Sequence, residues 1–140
     1  MTVTSAKNLT VQRVAFIKSG YSTFDIEPNV STEGATGVRF LDNIAGTWTN
    51  SFLSAEGAAE SVVSGVTVSG NTVTGGSLLT IIGLARRANI VFTNNTSTVA
   101  AAGPVLRFTH IDGLTVTGNV QPLTSGALAS ITDSTGVTTQ

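Results

Sequence analysis

The sequence predicts an all-β chain wound as a parallel solenoid. Composition, apolar alternation and an internal repeat carry that prediction. The chain has 140 residues, among them 23 Thr, 16 Val, 15 Gly and 14 Ser, and β-branched side chains suit a pleated strand. This length suits one domain, expected to span residues 1–140. Hydrophobic residues make up 41% and charged residues 11%, against roughly 25% charged in an average soluble domain. Such a chain buries a core rather than staying disordered.

Six segments begin alike: Asn8-Leu9-Thr10-Val11, Gly37-Val38-Arg39-Phe40, Gly65-Val66-Thr67-Val68, Asn89-Ile90-Val91-Phe92, Gly113-Leu114-Thr115-Val116 and Gly136-Val137-Thr138-Thr139. Their first residues are spaced 29, 28, 24, 24 and 23 apart. Each opens on Gly or Asn, residues that tolerate turn geometry. Apolar residues then recur two apart, which is strand alternation. Leu9, Val11, Val38, Phe40, Val66, Val68, Ile90, Phe92, Leu114 and Val116 are expected inward. Thr10, Arg39, Thr67, Val91 and Thr115 are expected outward.

Asn43, Asn71, Asn95 and Asn119 recur at spacings of 28, 24 and 24. Stacked Asn amides can bond along a ladder. Position 13 or 14 is Arg or Val, so the ladder is expected to stop there. A second strand follows each repeat start, in Thr23–Glu27, Ser51–Ser54, Leu78–Ile82, Val105–Phe108 and Ala127–Ile131. The segment 54–61 is the one weak helix candidate and is assigned to a turn. Two to three short strands per repeat read as a parallel solenoid of about five rungs of 23–29 residues, whose core forms only by stacking. A β-sandwich leaves the in-register Asn unexplained.

The runs Gly-Val-Thr-Val-Ser-Gly-Asn-Thr-Val (65–73) and Gly-Leu-Thr-Val-Thr-Gly-Asn-Val (113–120) resemble the right-handed parallel β-helix repeat. Pectate-lyase-like carbohydrate enzymes and phage tailspikes share that fold. Phe24-Asp25-Ile26-Glu27-Pro28-Asn29 is similar to a strand-and-turn motif of β-helix proteins, phage tail proteins among them. The resemblance covers roughly residues 7–140 and implies fold more than function.

Both ends are expected to be open. Strands about 4.8 Å apart give five rungs a height of about 24 Å. Residues 1–6 are too few for a capping helix, and Gln140 falls inside the first strand of a sixth rung. Because solenoid ends need covering, the chain is expected to be part of a longer solenoid or to be covered by other subunits.

Several function classes are excluded by content. Seven Lys+Arg against eight Asp+Glu give a net charge of −1, without the positive footprint of a nucleic-acid binder. The absence of Cys excludes disulfide frameworks, Cys–zinc sites and thiol catalysis. No run approaches the roughly 18 apolar residues of a membrane span. Met1–Ser5 does not read as the start of a signal peptide.

Asp25 and Glu27 are the weak catalytic and glycan-binding candidates. Two apart on one strand, their Cβ atoms stand about 6.5–7 Å apart, near the roughly 5–9.5 Å of glycosidase carboxylate pairs. With Phe24 and Ile26 in the core, both acids point to solvent, and a solvated acidic strand is the preferred reading. Trp48 and Tyr21 offer aromatic faces for sugar rings, with core or interface use favoured. Arg107, a further weak glycan-binding candidate, and Arg39 are outward cations. Arg107 lies three rungs from Asp25, about 14 Å away, too far for direct cooperation. Arg86-Arg87 are expected in a solvated turn. His110 is the only histidine and neighbours Asp112, without a nucleophile in company. The outward threonines Thr10, Thr67 and Thr115 are interrupted by Arg39 and Val91, which weakens a surface-binding array. Sequons at Asn8, Asn29, Asn94 and Asn95 are those a Thr-rich chain gives by chance. The Asp cluster that the lyase resemblance would require is missing, so no metal or cofactor is expected.

The expected function is a structural and adhesive module of a phage tail spike or tail-tip protein in the virion tail. Its expected partners are copies of itself, a trimer favoured, or neighbouring tail subunits, with possible polysaccharide contact. A segment of a secreted polysaccharide lyase or hydrolase and a bacterial surface adhesin are the alternatives.

Overall fold

The computed structural model describes residues Met1–Gln140. It contains strands and no helix, and the segment 54–61 closes as strand end and turn. Every strand pairing is parallel. The chain is a β-solenoid of about six turns.

Three sheets run along the stack. The first holds Thr2–Val3, Phe24–Ile26, Leu53–Ala55, Thr80–Ile82, Leu106–Thr109 and Ala129–Thr132 in that order. The second holds Ala6–Lys7, Gly34–Thr36, Val62–Ser69, Arg87–Thr93, Ile111–Thr117 and Thr135–Thr139, with Thr10–Gln12 and Arg39–Leu41 continuing its first two layers. The third holds Ala15–Lys18, Ile44–Thr47, Thr72–Val73 and Thr96–Ser97. A small pair joins Ala101–Ala102 to Leu123–Ser125. The expectation of about five rungs is corrected to six turns, because residues 2–7 supply strands to the first and second sheets.

The corners explain the repeat starts. Asn8, Gly37, Gly65, Asn89, Gly113 and Gly136 all have positive φ, between 54° and 80°. A chain returning in register must bend the same way in every layer, and Gly and Asn enter this left-handed region at least cost. A second bend has the same form: Arg13, Asp42, Gly70, Asn94 and Gly118 all have positive φ.

Immediately after that second bend stand the asparagines. The Asn43 backbone N–H and Nδ2 donate to Asn71 Oδ1 at 2.9 and 3.0 Å. Asn71 does the same to Asn95 Oδ1 at 3.1 and 2.8 Å, and Asn95 to Asn119 Oδ1 at 3.0 and 3.0 Å. Each Nδ2 also donates to a carbonyl of the preceding layer: Val11, Phe40, Val68 and Phe92. Val14 heads the column, its N–H donating to Asn43 Oδ1 at 3.0 Å.

Between the sheets lies one apolar cluster of 24 buried residues. Val38, Val66, Ile90 and Leu114 stack in one column, and Phe40, Val68, Phe92 and Val116 in another. Leu9 and Val11 are half-buried at the head of these columns. All six phenylalanines form a connected chain. Phe24 stacks on Phe40 at 4.1 Å, and edge contacts link Phe16, Phe52, Phe92 and Phe108. Burying each such side chain contributes roughly 1.5–3 kcal/mol.

Two outcomes check this arrangement. Asn71→Ala strands the Asn43 donors and the Phe40 carbonyl inside the protein. At about 1–3 kcal/mol per orphaned group, the denaturant midpoint should fall sharply, while Thr67→Ala shifts stability by about 0.5 kcal/mol or less. Val68→Asp places an unpaired charge in the core and should unfold or aggregate the chain. Thr67→Asp, one residue away and facing outward, should leave the β-type circular dichroism spectrum intact.

Candidate functional site

The first sheet carries the acid pair. Phe24 and Ile26 are fully buried, and the alternation turns Asp25 to the other side. Asp25 is nevertheless only 6% exposed, which corrects the solvated acid expected from the sequence. Its register partners are Thr2 in one adjacent layer and Ser54 in the other, and Thr2 Oγ1 donates to Asp25 Oδ2 at 3.3 Å. Stacked neighbours on both sides thus shield an outward side chain. Glu27 is exposed. Its pKa is raised above the ordinary 4.5, first by the negative charge of Asp25, then by burial, a side-chain hydrogen bond with Asp25 and the charge of Glu56. The two acids share one face of the strand, and the charge of Asp25 disfavours the ionised form of Glu27.

The other sequence candidates lie apart. Arg107 is in the same outward row as Asp25, three layers away through Ser54 and Ile81. It is exposed, and its Nε donates to the Pro104 carbonyl at 3.1 Å. Arg39 is exposed on the second sheet. Trp48 is half-buried against the core, and a β-carbon placed at Gly76 would stand 2.9 Å from its indole. The next layer therefore covers part of the ring. Tyr21 is 57% exposed.

Arg86 and Arg87 separate sharply. Arg86 pairs with Asp112 at 2.7 Å and with Asp133 at 3.4 Å on the surface. Arg87 does not occupy a solvated turn. It opens the strand Arg87–Thr93, lies level with Ile111 and is 1% exposed. Its guanidinium donates to the carbonyls of Ser61 at 2.8 Å and Ala58 at 3.4 Å, and to that of Glu56. Burial lowers its pKa from the ordinary guanidinium range. The side chain holds the loop 56–61 by its backbone. His110 meets Asp133 through Nε2 at 3.1 Å. Its chain neighbour Asp112 instead takes Arg86 and Thr135 Oγ1. These groups make a charge network around one corner, and no cluster suited to a metal ion is present.

The one concave site lies elsewhere, at the corner joining the first and second sheets in the first three layers. It is a groove of about 490 Å³ lined by Ser5, Ala6 and Lys7, by Ser31, Thr32, Glu33, Gly34 and Thr36, and by Val62. Sequence reasoning missed it. The available signal was repeat length, because the two long spacings of 29 and 28 residues mark the layers that build it. No protein-family model, curated protein or solved structure matches the chain. The structure therefore defines its class, a parallel β-solenoid with a polar groove at one corner.

The acid pair gives a pH test. A raised folded-state pKa makes Glu27 bind its proton more tightly in the native state. That contribution is full below about pH 4.5 and is lost as pH rises through the folded value. Glu27→Gln removes the repulsion and should raise the melting temperature at neutral pH. The gain should correspond to less than about 1 kcal/mol at this exposed position and should vanish in acid, as read by thermal melts across pH.

Proposed function

We propose that the chain is a structural and adhesive module: a solenoid rod that packs beside copies of itself, as in a phage tail spike or tail-tip protein, and meets host-surface glycans on its side. The observation that carries this reading is the continuous stack. Six layers stack in register around one core, and an amide column ties four of them, which makes a stiff rod from a short repeat. Exposed apolar side chains on the third sheet, Ile17 at 80% and Ile44 at 51%, together with the low charge content, suit lateral packing.

A lyase or hydrolase reading would need two separated groups flanking a glycosidic bond. Asp25, only 6% exposed between Thr2 and Ser54, is not open to such a bond, which favours the adhesive reading. Light scattering tests the assembly. A stable mass three times the 14.3 kDa of one chain is expected, with Ile17→Lys and Ile44→Lys together shifting it toward monomer. A wild-type monomer at micromolar concentration would overturn lateral self-packing.

A further inference from the structure

We propose that the groove joining the first and second sheets is a subsite for a sugar residue carrying one carboxylate. This assignment deepens the adhesive reading and rests on it. The groove's volume, about 490 Å³, falls in the roughly 300–1,000 Å³ range of small-ligand sites. Its lining is the complement of a hydroxylated ring. Ser5, Ser31, Thr32 and Thr36 present hydroxyls, and Val62, 60% exposed, offers an apolar edge to ring C–H groups.

Two opposite charges face the groove without pairing. Lys7 and Glu33 both line it, yet neither takes part in any of the three ion pairs of the chain. Glu33 Oε2 accepts the Asn29 N–H at 2.6 Å, and its second oxygen has no protein partner. Lys7 carries no side-chain hydrogen bond. A carboxylate on the ligand gives Lys7 a charge-assisted bond, while sugar hydroxyls donate to the free Glu33 oxygen. The negative charge of Glu33 repels a second anion, so the groove suits one carboxylate rather than a densely anionic chain.

The wall is held before any ligand arrives. The Glu33 N–H donates to the Val30 carbonyl at 3.0 Å, and the Ala58 N–H to the Pro28 carbonyl at 2.6 Å. Gly57 packs so close to Pro28 that a β-carbon there would stand 2.7 Å away. Arg87 fastens the loop 56–61 from inside. A site ordered in advance does not spend binding energy on ordering its loops. Placement points the same way. Seven residues, 27–33, separate the first-sheet strand from the second-sheet strand in the second layer, whereas His110 alone does so in the fifth. In solenoids, insertions collect on one face, often the binding face.

The test uses the full chain and a defined uronic-acid-containing oligosaccharide, beside the same oligosaccharide with its carboxyls reduced to alcohols. Titration calorimetry should show the acidic form binding about tenfold or more tightly, the scale of one hydrogen bond to a charged group. Lys7→Gln should abolish that preference. Glu33→Gln, which keeps an acceptor for Asn29, should weaken both forms. Thr115→Ser, remote from the groove, should change neither, and unchanged melting temperatures would show that the variants fold. Equal affinity of the wild type for the two forms, or a preference that survives Lys7→Gln, would overturn the groove and leave glycan adhesion standing. Failure to bind either form, with adsorption to bacterial cells retained, would also overturn the groove alone. Loss of adsorption as well would overturn the adhesive reading with it.

Discussion

The buried amide column Asn43–Asn71–Asn95–Asn119 is the constraint on which the rest of the solenoid depends. The side-chain oxygens of Asn71, Asn95 and Asn119 each accept two N–H groups from the preceding layer, that of Asn43 accepts one, and each Nδ2 returns a bond to a carbonyl of the preceding layer. A slip of one residue would break both sets and turn the apolar rows outward. The amides therefore fix register, and register aligns the left-handed corners, the Phe chain and the two apolar columns. The bend just before each Asn aims its amide into the stack. That is why positive φ recurs there even where the residue is Asp42 or Asn94.

Parallel in-register stacking also explains how charge is distributed. Outward positions are flanked by the same position one layer away, so like charges in adjacent layers would stand about 4.8 Å apart. The outward row Thr10, Arg39, Thr67, Val91, Thr115 carries a single charge. Where acids do crowd, Glu27 beside the charges of Asp25 and Glu56 holds its proton more tightly. Such a rod varies its surface within the narrow chemistry of Thr, Ser and Val while the core columns stay apolar.

What was legible in the sequence followed from side chains repeating at fixed spacing. The left-handed corner residues, the inward rows at Val66–Val68 and Leu114–Val116, and the first-sheet strands all belong to that class. What was hidden depended on backbone partners or on neighbours a layer away. Arg87 reads as half of a basic turn because its partners are carbonyls of 56, 58 and 61, and sequence spacing does not reveal carbonyls. Asp25 reads as solvated because alternation gives direction but not the crowding by Thr2 and Ser54. In the sequence His110 pairs by proximity with Asp112, two residues away, yet it meets Asp133 one layer down, where both residues hold the same positive-φ corner.

That corner shows how a repeat protein makes room for chemistry. The minimum layer needs a bend, an inward row and an amide, and the spacings of 24, 24 and 23 residues come close to it. In those later layers the corner is short, and Arg86, Asp112, Asp133 and His110 close it with ion pairs. In the earlier layers, added residues push the chain outward between the first and second sheets. Gly57, Pro28 and Arg87 lock the added loops, and the space beside them remains open as the groove. The same bend is sealed by charge in one half of the rod and opened by insertion in the other. Recognition is therefore expected where the chain exceeds its repeat, since the residues that satisfy the repeat are already committed to register and core.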